Sequence, residues 1–308
     1  MTNLPLFFIF LNFLHIIKKK TICFFFFWEI PATKPRNLLS LHDDVVSVQQ
    51  STPSSRALLP WRTRISLSLL SKLTDAARRP NGTINRGLMS FLDLRSSATP
   101  SAPYKGVTTS NVTVHQTRNL WFRFFVPSTT SSSPASLPVV VFFHDGGFSF
   151  LSPDSYAYDA VCSKFPREIP AVVVSVNYRL SPEHGYPCQY DDGLNVLKFL
   201  DQNPDSLPDL ADCSRCFLAG DSADANIAHH VAVRACREPF RVVKPIRLIS
   251  IQPFFGGEER TESEIRLEGA PLVSVTRTDW LWKAFLPQNP ESCHKTQKPG
   301  GFVETEEI

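Results

Sequence analysis

Ser222 stands in the run Gly220-Asp221-Ser222-Ala223-Asp224-Ala225-Asn226. An apolar stretch, Cys216–Ala219, leads into it, and Ile227, Val231 and Ala235 follow at helical spacing. Strand, sharp turn with a central serine, then helix is the layout of a nucleophile elbow. The turn holds the serine Oγ clear of its neighbours. The first N–H groups of the helix then face any negative charge that forms beside it. The chemistry implied is attack on an acyl carbonyl, whose tetrahedral intermediate carries an oxyanion and needs N–H donors. A second stretch offers such donors: His144-Asp145-Gly146-Gly147-Phe148, directly after the apolar run that starts at Pro138. Two adjacent glycines let the backbone approach a substrate oxygen closely. The plainer alternatives are an N-cap serine and an ordinary Gly-Gly turn. The two motifs together, in this order, favour acyl transfer.

A serine has little nucleophilicity without a base. His229 and His230 follow Ser222 on the same helix, roughly 10 Å along its axis, which is too far for direct contact. They read as packing or surface residues. His184 belongs to a turn and reads as structural. Asp279 and His294 satisfy a Ser…Asp…His order, but no strand end precedes either to hold it.

Positioning these residues requires a sheet. The runs Pro138–His144, Ala171–Tyr178 and Ile246–Gln252 are continuously apolar rather than alternating. That pattern predicts strands buried on both faces and a parallel sheet. Helical patterns over 191–200 and 223–236 alternate with the strands, and 270–286 looks helical near its end, so the fold class is α/β, doubly wound. Segments 111–115 and 119–126 alternate as an antiparallel hairpin. Trp61, Ile65, Leu69 and Leu73 give a helix over 61–79, closed by Pro80-Asn81-Gly82 and read either as packing or as a lid.

Before this helix, residues 4–17 and 22–28 are greasy and separated by Lys18–Lys20. The lysines follow the first apolar run and no small-residue cleavage site appears, which argues against a signal peptide. Neither run has the length of a bilayer span. The stretch reads first as a non-native start and second as an interfacial anchor. Residues 31–58 read as a linker. The expected organisation is 1–58 extraneous or disordered, 59–286 the folded domain, and 287–308 an unstructured tail.

A net charge of +3 over 308 residues, with no basic stripe interleaved with aromatics, gives no support for nucleic-acid binding. Seven scattered cysteines suggest reduced thiols and a cytoplasmic protein. Cys213 and Cys216 form a lone C-x-x-C without a second pair, so no metal or redox centre is expected.

The segments Val139–Phe148, Asn177–Pro187 with Asp191-Asp192, Gly220–Asn226 and Arg79–Arg86 are together similar to plant carboxylesterases of the hormone-sensitive-lipase-like α/β-hydrolases. That group also contains the gibberellin receptors. The similarity spans roughly residues 59–286. It implies an α/β-hydrolase fold, with a mostly parallel central sheet, helices on both faces and an N-terminal lid helix. It implies Ser222 as nucleophile and an oxyanion hole from Gly146, Gly147 and the Ala223 N–H. His144 would orient the oxyanion turn, and Asp221 would sit beside the serine without being the triad acid. The substrate would be a small, fairly apolar carboxylic ester, with no cofactor or metal. The rival from another class is a non-catalytic small-molecule receptor; an inactive fragment is a third possibility. Three departures stand out. Asp145 replaces a glycine of the family's HGGGF, where its charge would oppose the oxyanion unless it points away or is protonated. Asp224-Ala225 replaces Gly-Gly, which would distort the elbow or leave a charge poorly solvated. The family's triad acid and histidine follow two further strands that are not recognisable here, so the domain is expected to be incomplete at its C-terminus.

Overall fold

The computed structural model describes residues 25–29, 61–128, 136–256, 260–266, 268–269 and 273–286. The strands are β1 (Phe25–Glu29), β2 (Val107–His115), β3 (Leu120–Pro127), β4 (Leu137–Phe143), β5 (Val172–Asn177), β6 (Ala211–Asp221) and β7 (Pro245–Ile251). The helices are α1 (Trp61–Ala77), α2 (Arg86–Leu92), α3 (Tyr156–Cys162), α4 (Phe165–Glu168), α5 (Cys188–Gln202), α6 (Ala223–Ala235), α7 (Glu262–Arg266) and α8 (Val275–Phe285).

The sheet order is β1-β7-β6-β4-β5-β3-β2. β7, β6, β4 and β5 are mutually parallel, while β1, β3 and β2 pair antiparallel at the two sides. The continuous apolar runs are explained by burial on both faces. Along β4, Val139, Val141 and Phe143 enter one core cluster, whereas Val140 and Phe142 enter the other. β5 divides in the same way, with Val174 and Val176 on one side and Val173 on the opposite one. Helix α6 supplies Ile227 and Val231 to the first cluster, and α5 supplies Val196, Leu197 and Leu200. Tyr158 and Cys162 of α3 serve the second.

The structure departs from the expected N-terminal organisation at one point. Phe25–Glu29 is a sheet strand, with Phe25 opposite Ile251 and Glu29 opposite Arg247. A run of large aromatic residues has high β-propensity, and the outer edge of β7 offers it a row of backbone partners. The remainder of 1–58, the tail from 287 onward and His294 lie outside the described residues. Helix α1 is tied to α8 by Arg277, which holds the Asp75 carboxylate through Nε at 2.8 Å.

Candidate active site

Ser222 occupies the turn between β6 and α6 with φ 52° and ψ −121°. Positive φ is costly for a residue carrying a Cβ, and such strain persists only where surrounding contacts fix it. Two do: the Ser222 N–H donates to the Ile251 carbonyl at 2.9 Å, and the Phe254 N–H donates to the Ser222 carbonyl at 2.8 Å. The Ser222 side chain makes no capping hydrogen bond to α6, so the hydroxyl is not spent as an N-cap. Gly220 is required upstream, because a Cβ there would lie 2.3 Å from the Asp224 carbonyl oxygen.

The turn after β4 faces this elbow. A Cβ on Gly146 would sit 2.0 Å from the Phe150 carbonyl oxygen. Gly147 and Phe148 are consecutive residues at positive φ, 59° and 63°, which turns the chain sharply after Gly146. His144 is fully buried and stacks on Tyr178 at 4.8 Å between centroids, while the Tyr178 hydroxyl donates to the His144 carbonyl at 3.1 Å. Burial pushes the imidazole down to about 3, so it stays neutral and braces the turn.

The Asp145 side chain turns back onto its own turn. Its carboxylate accepts the Gly147 N–H at 3.1 Å. The N–H groups of Gly146 and Ala223 and the hydroxyl of Ser222 also donate to it. Asp221 ties the two turns together: Oδ1 accepts the Asp145 N–H at 3.2 Å and Oδ2 accepts the Tyr158 hydroxyl at 2.7 Å. Burial, then the neighbouring Asp145, push Asp221 up to about 8. Burial likewise raises Asp145, against the pull of its four donors. Asp224 is the third member of this acidic group. It is fully buried; neither carboxyl oxygen has a partner at full hydrogen-bond geometry, but the Tyr178 hydroxyl lies near enough to favour its charged form. The elbow thus keeps its shape and leaves a carboxyl poorly solvated.

Removing the Tyr158 hydroxyl should release one end of Asp221. Tyr158→Phe is expected to cost about 1 kcal/mol, read as a fall of roughly 2–4 °C in Tm. An unchanged Tm would show that the hydroxyl does not anchor Asp221.

The histidines fall where the spacing put them. His230 stacks on Tyr190 at 4.7 Å, and His229 meets Phe255 edge-on at 5.5 Å. Among the described residues no histidine shares a hydrogen bond with Ser222. Asp279 is paired with Arg260 at 2.7 Å on the exposed side of α8, which is no place for a triad acid. Helix α8 itself was not foreseen as part of the site. Leu281 abuts Gly147, and Phe148 stacks on Phe285 at 4.0 Å with Trp282 at 5.6 Å. The three aromatic residues of 280–285 beside a Phe after Gly-Gly were the sequence signal for that wall.

Residues 140–300 match the model of an α/β-hydrolase-fold family. The chain belongs to the α/β-hydrolase family. This α/β-hydrolase is 40% identical over 258 residues to a gibberellin receptor of Arabidopsis thaliana, covering 80% of this chain and 74% of that protein. It is 36% identical over 233 residues to carboxylesterase 20 of the same plant, covering 73% of this chain and 71% of the relative. Its sheet also superposes on the solved structure of an ester hydrolase from the metagenome of Lake Arreo. The TM-score is 0.55 at 23% identity, over 75% of this chain and 72% of that one, a likeness of fold. Among the described residues no group of three or more His, Cys, Asp or Glu is arranged to hold a metal ion. Nor is any helix there long and apolar enough to cross a membrane.

Proposed function

We propose that this α/β-hydrolase is a carboxylic-ester hydrolase that works through a serine acyl-enzyme. Ser222 Oγ attacks the acyl carbon, the C–O bond to the alcohol breaks, and water releases the acid. The N–H groups of Gly146, Gly147 and Ala223 receive the oxyanion. One observation carries this reading. Three N–H donors from two separate turns and the Ser222 hydroxyl converge on a single carboxylate. An acyl-transfer site needs that geometry, with nucleophile and oxyanion donors within reach of one reacting centre. The carboxylesterase among its relatives supports the ester class. Leu281, Phe148, Phe254 and Trp282 around the turn support a small, apolar substrate. The mechanism uses neither metal nor cofactor. Five described cysteines are unpaired, which fits a reducing compartment, and we assign the chain to the cytoplasm.

A second reading, non-catalytic binding of a small molecule, is favoured by the filled anion position and the absence of a histidine at Ser222 among the described residues. Fluorophosphonate labelling of the full chain and of Ser222→Ala separates the two. The esterase reading expects labelling that disappears in Ser222→Ala. Serine-independent labelling, or none from any folded form of the chain, would transfer the weight to the binding reading.

A further inference from the structure

Asp145 is the one acidic side chain seated among the donors of the proposed site, and its surroundings explain why that matters. No cation balances it: among the described residues Asp145 takes part in no salt bridge. The groups that face it are Asp221 at the end of β6, Asp224 in the first turn of α6, Tyr158 of α3 and Tyr178 after β5. His144, its neighbour in the chain, is neutral. Two of these five are further acids, and none carries positive charge. A carboxylate with such neighbours would be expelled to water unless something held it. What holds it is a set of four donors: the N–H groups of Gly146, Gly147 and Ala223, and the Ser222 hydroxyl. Asp145 as a whole residue keeps intermediate exposure.

We propose that Asp145 is a built-in ligand of the anion hole: its carboxylate fills the position a substrate oxyanion would take and keeps the site closed to exogenous carboxylates and acyl groups. This rests on the reading of Gly146, Gly147, Ala223 and Ser222 as one site. It adds that the site's resting occupant is part of the chain. The carboxylate does two things at once. It satisfies the N–H donors that would otherwise bind the intermediate, and it takes the Ser222 proton in a hydrogen bond that must break before the serine can swing onto an acyl carbon. For a substrate to be turned over, the Asp145 side chain must leave or bind a proton, since two anionic oxygens cannot share the same three N–H groups.

The test uses acetate as the probe, because it is the Asp145 side chain without its tether. The melting temperature of the full chain is followed against rising sodium acetate at fixed pH and constant ionic strength, for the wild type and for Asp145→Ala. A ligand that binds only the folded state raises stability by RT ln(1 + [L]/Kd). The expected result is a Tm that climbs with acetate in Asp145→Ala and stays flat in the wild type, whose hole is already full. A rise in the wild type equal to that of the variant overturns the proposal, as does a flat response in both. Should Asp145→Ala not fold, Asp145→Gly serves in its place, and a wild-type Tm that rises with acetate overturns the proposal by itself.

A second measurement reads the same contact through Ser222. Fluorophosphonate labelling is expected to be at least about tenfold faster in Asp145→Ala, since each donor of an oxyanion hole is worth roughly a hundredfold or more in rate. Slower labelling in the variant overturns the proposal and makes Asp145 the base of Ser222 instead. The two readings fail separately. If acetate stabilises Asp145→Ala but no form shows Ser222-dependent labelling, the internal ligand stands and the esterase reading falls. If the wild type labels as fast as the variant, the esterase reading stands and the internal ligand falls.

Discussion

Asp192→Ala is expected to cost about 3–5 kcal/mol of folding stability and to lower Tm by roughly 10 °C. Asp192 sits one residue beyond the first turn of α5 with no solvent exposure. It accepts three hydrogen bonds from one residue: the Arg179 N–H at 3.0 Å, Nε at 2.8 Å and Nη2 at 2.9 Å. This bidentate clamp, with a backbone donor added, fixes the turn after β5 to the helix that lies on the sheet. Its Coulombic gain is offset by the desolvation of two charges, so its net contribution is modest. The loss of one partner is not. Alanine would leave the Arg179 guanidinium, whose side chain is 19% exposed, and a backbone N–H without an acceptor. Asp192→Asn should fall between, because one amide oxygen replaces two carboxylate oxygens. The double variant Arg179→Met/Asp192→Leu should recover most of the loss, since it removes the orphaned charge. Thermal or urea unfolding of the four proteins reads all of this. A loss below about 1 kcal/mol in Asp192→Ala would mean that the clamp is replaced by water at no cost.

The central strands, the elbow helix and the glycine turn were legible because each is written as a local pattern. Continuous apolar runs become parallel strands buried on both faces, and Gly220 before Ser222 becomes a close strand–helix approach. β6 is longer than its apolar core suggested, starting at Ala211 rather than Cys216, because backbone pairing with Leu137 and Pro138 extends it through polar residues. Phe25–Glu29 was not legible as a strand. Its composition fits several fates, and its partner, β7, lies some two hundred residues away. The fate of Asp145 was hidden for another reason. The sequence put an acid beside the proposed anion hole, but only the conformation of the turn decides whether its carboxyl turns outward or back onto its own N–H donors. The clamp at Asp192 was visible only as two adjacent acids. Which of them is buried depends on the helical phase: Asp191 faces Arg234 at the surface and Asp192 faces the core.

The same acidic group gives a prediction of opposite sign. Asp224→Ala is expected to stabilise the chain, and to do so more as pH rises. Three effects compete at this position. An acid in the first turn of α6 gains about 0.3–1 kcal/mol from the helix dipole, and alanine forfeits that. The smaller side chain also leaves a small void. Against these stands a fully buried carboxyl whose two oxygens have no partner at full hydrogen-bond geometry, at a cost of about 1–3 kcal/mol even when neutral. The Tyr178 hydroxyl donates to the His144 carbonyl and also lies beside the Asp224 carboxyl, where it recovers part of that cost. Burial first, and then the Asp145 and Asp221 carboxyls, push Asp224 well above the usual carboxylate range. The sign follows from proton counting. Above the unfolded carboxylate pKa the native state holds a proton that the unfolded chain has released. Folding stability therefore falls as pH rises, until Asp224 ionises in the native state. Alanine abolishes that dependence. The advantage of Asp224→Ala should thus grow between about pH 5 and about pH 7, by up to about 1.4 kcal/mol per pH unit. Tm curves of the two proteins across that range read it directly. Parallel curves would show that Asp224 keeps one protonation state throughout, and a variant less stable at every pH would mean that the carboxyl has a partner after all.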